Sequence, residues 1–378
     1  MNSAARKGIP PALRAPLLAG AFLSLAAGVG AGLARMGWNE PAAVAALIGW
    51  HGPLMICGFF GTVISLERAV ALGARWSYLG PLFAAIGGIT LVAGGPPPVA
   101  MAALTLGSVV LVAASWVVHR MQPALHTLTI LVAAACWALG NAVLAASGAV
   151  ALALPWWILF LVLTIAGERL ELSRFLPPSP VARRIFAALA GATVLGAPLP
   201  AFDAARGWIP LAGALLGLAL WLGRQDIARR TVKEPGLTGF IGACLLSGYA
   251  WLAIGAIMLI ANGMAPDIWR WDAGLHAILV GFVFSMVFGH APIIFPSVLR
   301  VTVPWHWSFY LPLALLHASL LLRVAGDLAQ SATLRAHGGA ANAVALAAFV
   351  VSMISAVVRG RIAAARSRAP HRAGAGRR

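Results

Sequence analysis

Apolar runs of membrane-spanning length alternate with short, arginine-bearing breaks along nearly the whole chain. A helix needs roughly 20 consecutive apolar residues to cross the hydrocarbon core of a bilayer. Twelve segments approach or meet that description: about Leu17–Leu33, Pro41–Leu66, Tyr78–Ala93, Val99–Val118, Ala124–Ala146, Leu154–Ala166, Val181–Leu199, Ile209–Leu222, Leu237–Ala261, the stretch Asp272–Arg300, Phe309–Val324 and Ala341–Val358. Glycine and proline punctuate them. The Gly94–Pro98 run turns the chain after the third segment, and Pro177, Pro178 and Pro180 stop any helix after the sixth. The pattern predicts an all-α fold, a polytopic integral membrane helical bundle of about 12 transmembrane helices.

Charge orients those segments. With Arg6, Lys7 and Arg14 placed in the cytoplasm, the inner breaks carry Arg68/Arg75, Arg120, Arg169/Arg174/Arg183/Arg184, Arg224/Arg229/Arg230/Lys233, Arg300 and the arginine-rich tail. The outer breaks carry Arg35, Arg206, Arg270 and Arg335, and two of them carry no basic residue. This is the asymmetry that keeps positive loops inside, and it predicts cytoplasmic N and C termini. The expected organisation is a cytoplasmic N-terminal segment (1–16), a transmembrane domain (17–358) and a disordered basic cytoplasmic tail (359–378).

Composition changes the picture little. The chain is 61% hydrophobic and 10% charged, against about 25% charged for a soluble domain, which leaves no room for a soluble module. The net charge of +17 is carried almost wholly by arginine, 25 of 27 basic residues. In a bundle of this kind it reads as cytoplasmic edges in contact with membrane lipid, not as a nucleic-acid surface. Cys57, Cys136 and Cys244 all fall in apolar segments and read as small core residues. Trp208, Trp221, Trp269, Trp271, Trp305 and Trp307 are expected as interface anchors.

The chemistry rests on histidines. His276 and His290 lie fourteen residues apart in one apolar segment, ~21 Å along a helix and ~40° around it. Ionisable groups at membrane depth mark functional sites. The topology sets His51 and His276 at an outer level and His126 and His290 at an inner one. His317 falls near mid-membrane, His119 and His306 near the cytoplasmic surface, and His337 outside. A b-type haem requires a flat apolar slot and one or two axial imidazoles from facing helices, so His51/His276 and His126/His290 are the predicted metal and cofactor ligands. Copper is the competing metal, with Met55, Met286 and Met121 near these histidines as thioether donors. No CxxCH, CxxC or HExxH motif occurs. Arg323, one turn before Asp327, is read either as its ion-pair partner or as the cation for a haem propionate or an anionic substrate. Glu67–Arg68 reads as an interfacial ion pair or a proton entry point, and Glu168 and Glu171 as solvated or ion-paired. No general base or nucleophile is identifiable, so no catalytic residue is assigned.

Trp50–His51 ahead of Met55 and Gly58–Phe59, the set Leu275, His276, Gly281 and Met286, and the pair Arg323–Val324 resemble the NnrS family. Where that family has a second histidine and a glutamate soon after the first, this chain has Pro53 and Leu54, the pattern of a divergent member. The resemblance implies a haem- and copper-containing protein of the bacterial inner membrane, tied to nitric oxide stress and denitrification. From it follows an expectation of haem b, or copper, serving nitric oxide response or respiratory electron transfer. An open iron position would bind a diatomic, and two histidines on one iron would favour electron transfer. A respiratory-chain partner is also expected. The alternatives are a proton-coupled or anion transporter using the buried histidines, and a non-catalytic assembly partner of a respiratory complex.

Overall fold

The computed structural model describes residues 8–173, 178–262 and 268–374. Arg6, Lys7, Arg174 and Pro177, used in the charge and proline arguments, lie outside the described residues. The regular structure among the described residues is helical, as expected where apolar surroundings leave backbone N–H and C=O groups only each other as partners.

Each predicted segment corresponds to one helix of 14 residues or more. These are α1 (Pro11–Arg35), α2 (Ile48–Leu72), α3 (Leu79–Val92), α4 (Pro97–Met121), α5 (Leu125–Ser147), α6 (Val150–Leu172), α7 (Pro180–Gly196), α8 (Trp208–Gln225), α9 (Gly236–Asn262), α10 (Ile268–Leu299), α11 (Tyr310–Leu328) and α12 (Ala332–Gly374). Among the described residues, ten are long and apolar enough to cross a membrane; α3 and α8 are the exceptions. The 14 residues of α3 rise only about 21 Å.

Local chemistry accounts for the boundaries. Proline opens α1, α4 and α7, where its missing N–H costs nothing. Ser179 caps α7 by accepting from the Ala182 N–H at 3.2 Å. Gly73 and Gly148 end α2 and α5 at φ of +68° and +67°, a left-handed turn that a side chain would strain. The expected end near Val358 is passed: α12 continues to Gly374 through the segment whose composition predicted a disordered tail. The alanines and arginines of that segment are strong helix formers.

Burial ranks the helices. In α6 the seven residues from Trp157 to Leu163 are all 1% exposed or less, so this helix is enclosed on every side. The most apolar stretch of α6 is 78% buried, that of α10 is 67% and that of α2 is 61%, against 28% for α7 and α12. Of the three helices carrying predicted ligands, α2 and α10 therefore stand with α6 at the centre, and α5, which carries His126, is less enclosed at 50%. Large apolar side chains such as Leu195, Ile257 and Val351 face outward from the bundle, the surface that a multi-pass membrane protein presents to lipid.

The central helices are not regular. Leu54–Phe60 in α2 and Ala277–Phe284 in α10 are wound as π-helix, in which bonding from i to i+5 widens each turn. His51 is followed by Gly52–Pro53 and then the first wide segment; His276 directly precedes the second. The face-sharing of His276 and His290 counted at 3.6 residues per turn does not carry across eight π-wound residues.

The tryptophans correct the anchor reading. Trp208 and Trp271 are buried edge to face at 5.9 Å. Trp221 is buried and donates to the Ala182 carbonyl at 2.8 Å, and Trp305 packs on Phe240. Trp307 is 71% exposed and keeps the expected position. Trp208, Trp221, Trp271 and Trp305 serve the interior by packing against residues of other helices.

Candidate functional site

The end of the bundle at which α1 finishes is called upper here, and the opposite end lower. His51 of α2 and His276 of α10 meet at the upper end, with ring centres 6.4 Å apart and planes 19° apart. His51 Nδ1 lies 2.7 Å from the Gly28 carbonyl oxygen, and His276 Nδ1 lies 2.8 Å from the Asp272 carbonyl oxygen. A carbonyl only accepts, so each Nδ1 carries the proton and donates. Each Nε2 then keeps its lone pair, the arrangement seen in imidazoles that ligate a metal. Gly32 makes the ring position available: a Cβ there would sit 2.9 Å from His51 Cε1.

A lattice of charge holds the pair. Asp272 Oδ2 accepts from Arg323 Nη2 at 3.0 Å and from Arg335 Nη2 at 2.9 Å, and it lies 3.3 Å from His276 Nδ1. Arg335 Nε also pairs with Asp327 at 2.8 Å. This replaces the expected Arg323–Asp327 pair: the side chain of Arg323 crosses to α10, and the first residues of α12 supply the cation for Asp327.

These groups border a cavity of about 320 Å³ whose wall includes His51, His276, Met55, Trp271, Arg323 and Asn342. Three residues of that wall, Arg323, Asn342 and Trp271, each keep one N–H (Nε, Nδ2 and Nε1) packed in the protein without a hydrogen-bond partner. Each costs about 1–3 kcal/mol if left so.

The chemistry of the donor set suits a metal-centred group: two imidazoles with ring centres 6.4 Å apart, each with Nδ1 engaged by a carbonyl, leave two Nε2 atoms as the nitrogen donors. Among the described residues there is no group of three or more His, Cys, Asp or Glu that could hold a metal ion. The pair therefore suits a group that brings most of its own ligands better than it suits a bare ion.

The lower end is built differently. A second cavity, of about 120 Å³, has a largely apolar wall that also includes Glu67, Glu168 and His290. His290 donates from Nδ1 to the Met286 carbonyl at 2.7 Å, and its Nε2 lies 3.4 Å from Arg169 Nη1. Arg169 in turn donates to Asp226 Oδ2 at 2.8 Å, as does the Tyr249 hydroxyl at 2.5 Å. The expected partner, His126, is not part of this wall, and His290 spends its free nitrogen on an arginine. Glu67 and Glu168 face the cavity instead of standing as surface acids.

The other histidines lie apart from both cavities. His317 accepts from Trp251 Nε1 at 3.0 Å, His119 bonds Thr127, and His306 and His337 are exposed. Met55 lines the upper cavity and Met286 the lower, whereas Met121 is 71% exposed and cannot serve as a ligand. The three cysteines are buried.

Sequence reasoning missed the hub role of Asp272, the donors Asn342 and Trp271, and both π-wound segments. Asp272 had a signal, four residues before His276 on the same helix. Asn342 had one too, as an amide inside an apolar run. The helical widening has no signature in residue type.

A protein family described as a domain of unknown function (DUF8744) matches residues 14–358, and the chain belongs to it. No curated protein and no solved structure matches the chain.

Proposed function

For this member of that family we propose a membrane metalloprotein that holds haem b between His51 and His276. The reading rests on one observation: two imidazoles from the central helices, 6.4 Å apart, each with Nδ1 committed to a carbonyl and Nε2 left for a ligand. The Asp272–Arg323–Arg335 lattice supports it by fixing His276, and Gly32 supports it by seating His51. When bound between two histidines, haem would supply one-electron exchange, and diatomic binding would require one of the two to be released. The likeness of the Trp50–His51 and Leu275–His276 segments to NnrS proteins extends the proposal to nitric oxide response or respiratory electron transfer in a bacterial inner membrane. Copper is the competing metal, with Met36 and Met55 as the two thioethers on the wall that the pair borders. The proposal includes cytoplasmic termini, with α3 and α8 crossing as the shorter members of twelve.

Absorption spectroscopy of protein purified from haem-sufficient cells tests this. Wild type is expected to show a Soret band and reduced-minus-oxidised bands of a b haem. His51→Ala and His276→Ala each lose most of that signal, and His126→Ala retains it. Wild-type protein free of both haem and copper by metal analysis would overturn the proposal.

A second reading, proton-coupled or anion transport, draws on a different observation. Phe60, Phe284 and Leu346 border both cavities, so an apolar partition one residue thick stands between the upper histidines and the lower carboxylates. Uptake of a labelled anion into proteoliposomes, driven by an imposed pH gradient and abolished by Glu67→Gln, would favour it over the metalloprotein.

A further inference from the structure

We propose that the lower cavity binds a small organic ammonium ion drawn from the membrane, held between the Glu67 and Glu168 carboxylates and the phenylalanine rings of the wall. The inference concerns the lower cavity alone and does not depend on what occupies the upper one.

The described wall carries two acids, one histidine and one threonine among otherwise apolar residues, and no lysine or arginine. The threonine and the histidine are committed. The Thr164 hydroxyl donates to the Phe160 carbonyl at 2.6 Å, His290 donates to Met286, and His290 Nε2 lies against Arg169. Glu67 and Glu168 take part in no hydrogen bond or ion pair among the described residues, and both are half-buried with accessible oxygens. Arg68 and Arg169 follow them in sequence, and a helix turns adjacent side chains about 100° apart. The two guanidinium charges therefore act on the acids from beside the wall, and Arg169 is spent on Asp226. Glu67 and Glu168 also repel each other. Two like charges facing an apolar space are costly without a counter-charge, and a cation set between them supplies it.

The rest of the wall selects the kind of cation. Seven of its residues are phenylalanines, whose ring faces attract ammonium groups. Phe22 of α1, Phe295 of α10 and Val350 of α12 are half-buried members of the wall, so the edge of the cavity meets the lipid-facing exterior between these helices. A bare metal ion would leave the apolar wall unused, and the two acids lack the third ligand that would hold one among the described residues. A neutral apolar molecule would leave the carboxylates unmet. An ammonium on a compact apolar body satisfies both, and the cavity volume of about 120 Å³ limits that body to about one ring.

Calorimetric titration of benzylammonium chloride into full-length protein in phosphatidylcholine nanodiscs tests the site, with empty nanodiscs as the background. Benzyl alcohol serves as the neutral ligand of nearly the same shape. Wild type is expected to bind one benzylammonium saturably and benzyl alcohol about tenfold or more weakly by comparison, the scale of losing a buried charge partner. Glu67→Gln and Glu168→Gln, which keep the size and remove the charge, are each expected to weaken benzylammonium by a similar factor. Ala291→Leu keeps both acids and fills the cavity, and it is expected to weaken both ligands. It separates loss of the site from loss of charge if a glutamine variant fails to elute as a monodisperse species. Protein from haem-starved and haem-sufficient cells is expected to bind alike, so saturable binding to a protein that takes up no haem keeps this site while the cofactor reading falls alone. Equal affinity for the alcohol and the ammonium, or benzylammonium binding unchanged in Ala291→Leu, overturns the proposal. So does a wild type that binds no benzylammonium although Glu67→Gln abolishes uptake driven by a pH gradient, since the acids would then serve a proton alone.

Discussion

Asp272 is the residue on which the upper site turns. One of its carboxylate oxygens accepts two guanidinium groups while its own carbonyl orients His276. Removing one partner from a buried ion cluster leaves the others desolvated and uncompensated, typically a loss of 3–5 kcal/mol. Asp272→Asn, which keeps the size and removes the charge, is expected to lower stability by about 3–5 kcal/mol, measured by denaturant titration in detergent micelles. A loss below about 1 kcal/mol, the scale of an exposed pair, would mean that water reaches the cluster. At this scale the sequence was partly readable. His51, His276 and Arg323 stood out as ionisable groups in apolar runs, but the Arg323–Asp327 spacing pointed to the wrong partner. Two residues one turn apart can pair; whether they do depends on which competitors the other helices bring, here Asp272 and Arg335.

Among the elements, α2 and α10 carry the site, and both widen directly beyond their upper histidines. The π-wound segment Ala277–Phe284 sets the rotation of His276 relative to His290. Inserting one alanine after Val280, a residue that the already widened segment has no further turn to absorb, would turn one histidine against the other by about 100°. The insertion is expected to abolish haem binding while the protein still elutes as a monodisperse species in size-exclusion chromatography. Retained haem in that variant would show that the winding does not position the ligand. Helix existence was legible throughout, because an apolar run in lipid has little alternative to helix. The widening was not legible, because the two segments LMICGFF and AILVGFVF are as apolar as their α-helical neighbours. Trp251 packs directly against Gly281 within the second of them.

For the molecule as a whole, the layout is a buried α6 with α2 and α10 beside it and an apolar exterior. The proposed orientation makes a direct claim. Single cysteines placed at the exposed Ser179 or Arg361 in a chain lacking Cys57, Cys136 and Cys244 are expected to react with membrane-impermeant maleimide only after cells are opened. A cysteine at Gln330 is expected to react in intact cells, and the reverse result would invert the bundle. By itself the sequence determined the helical class, twelve helical segments and the lipid-facing character, since each follows from hydropathy over a run of neighbours. It also determined that imidazoles would sit at two depths, since depth is distance along a helix. Which imidazoles meet was decided only by the tertiary structure. His51 finds His276 across the bundle, whereas His290 is taken by Arg169, which Asp226 holds in turn. The physical reason is that a contact between helices depends on rotation about each axis, and two π-wound segments reset that rotation where the ligands lie.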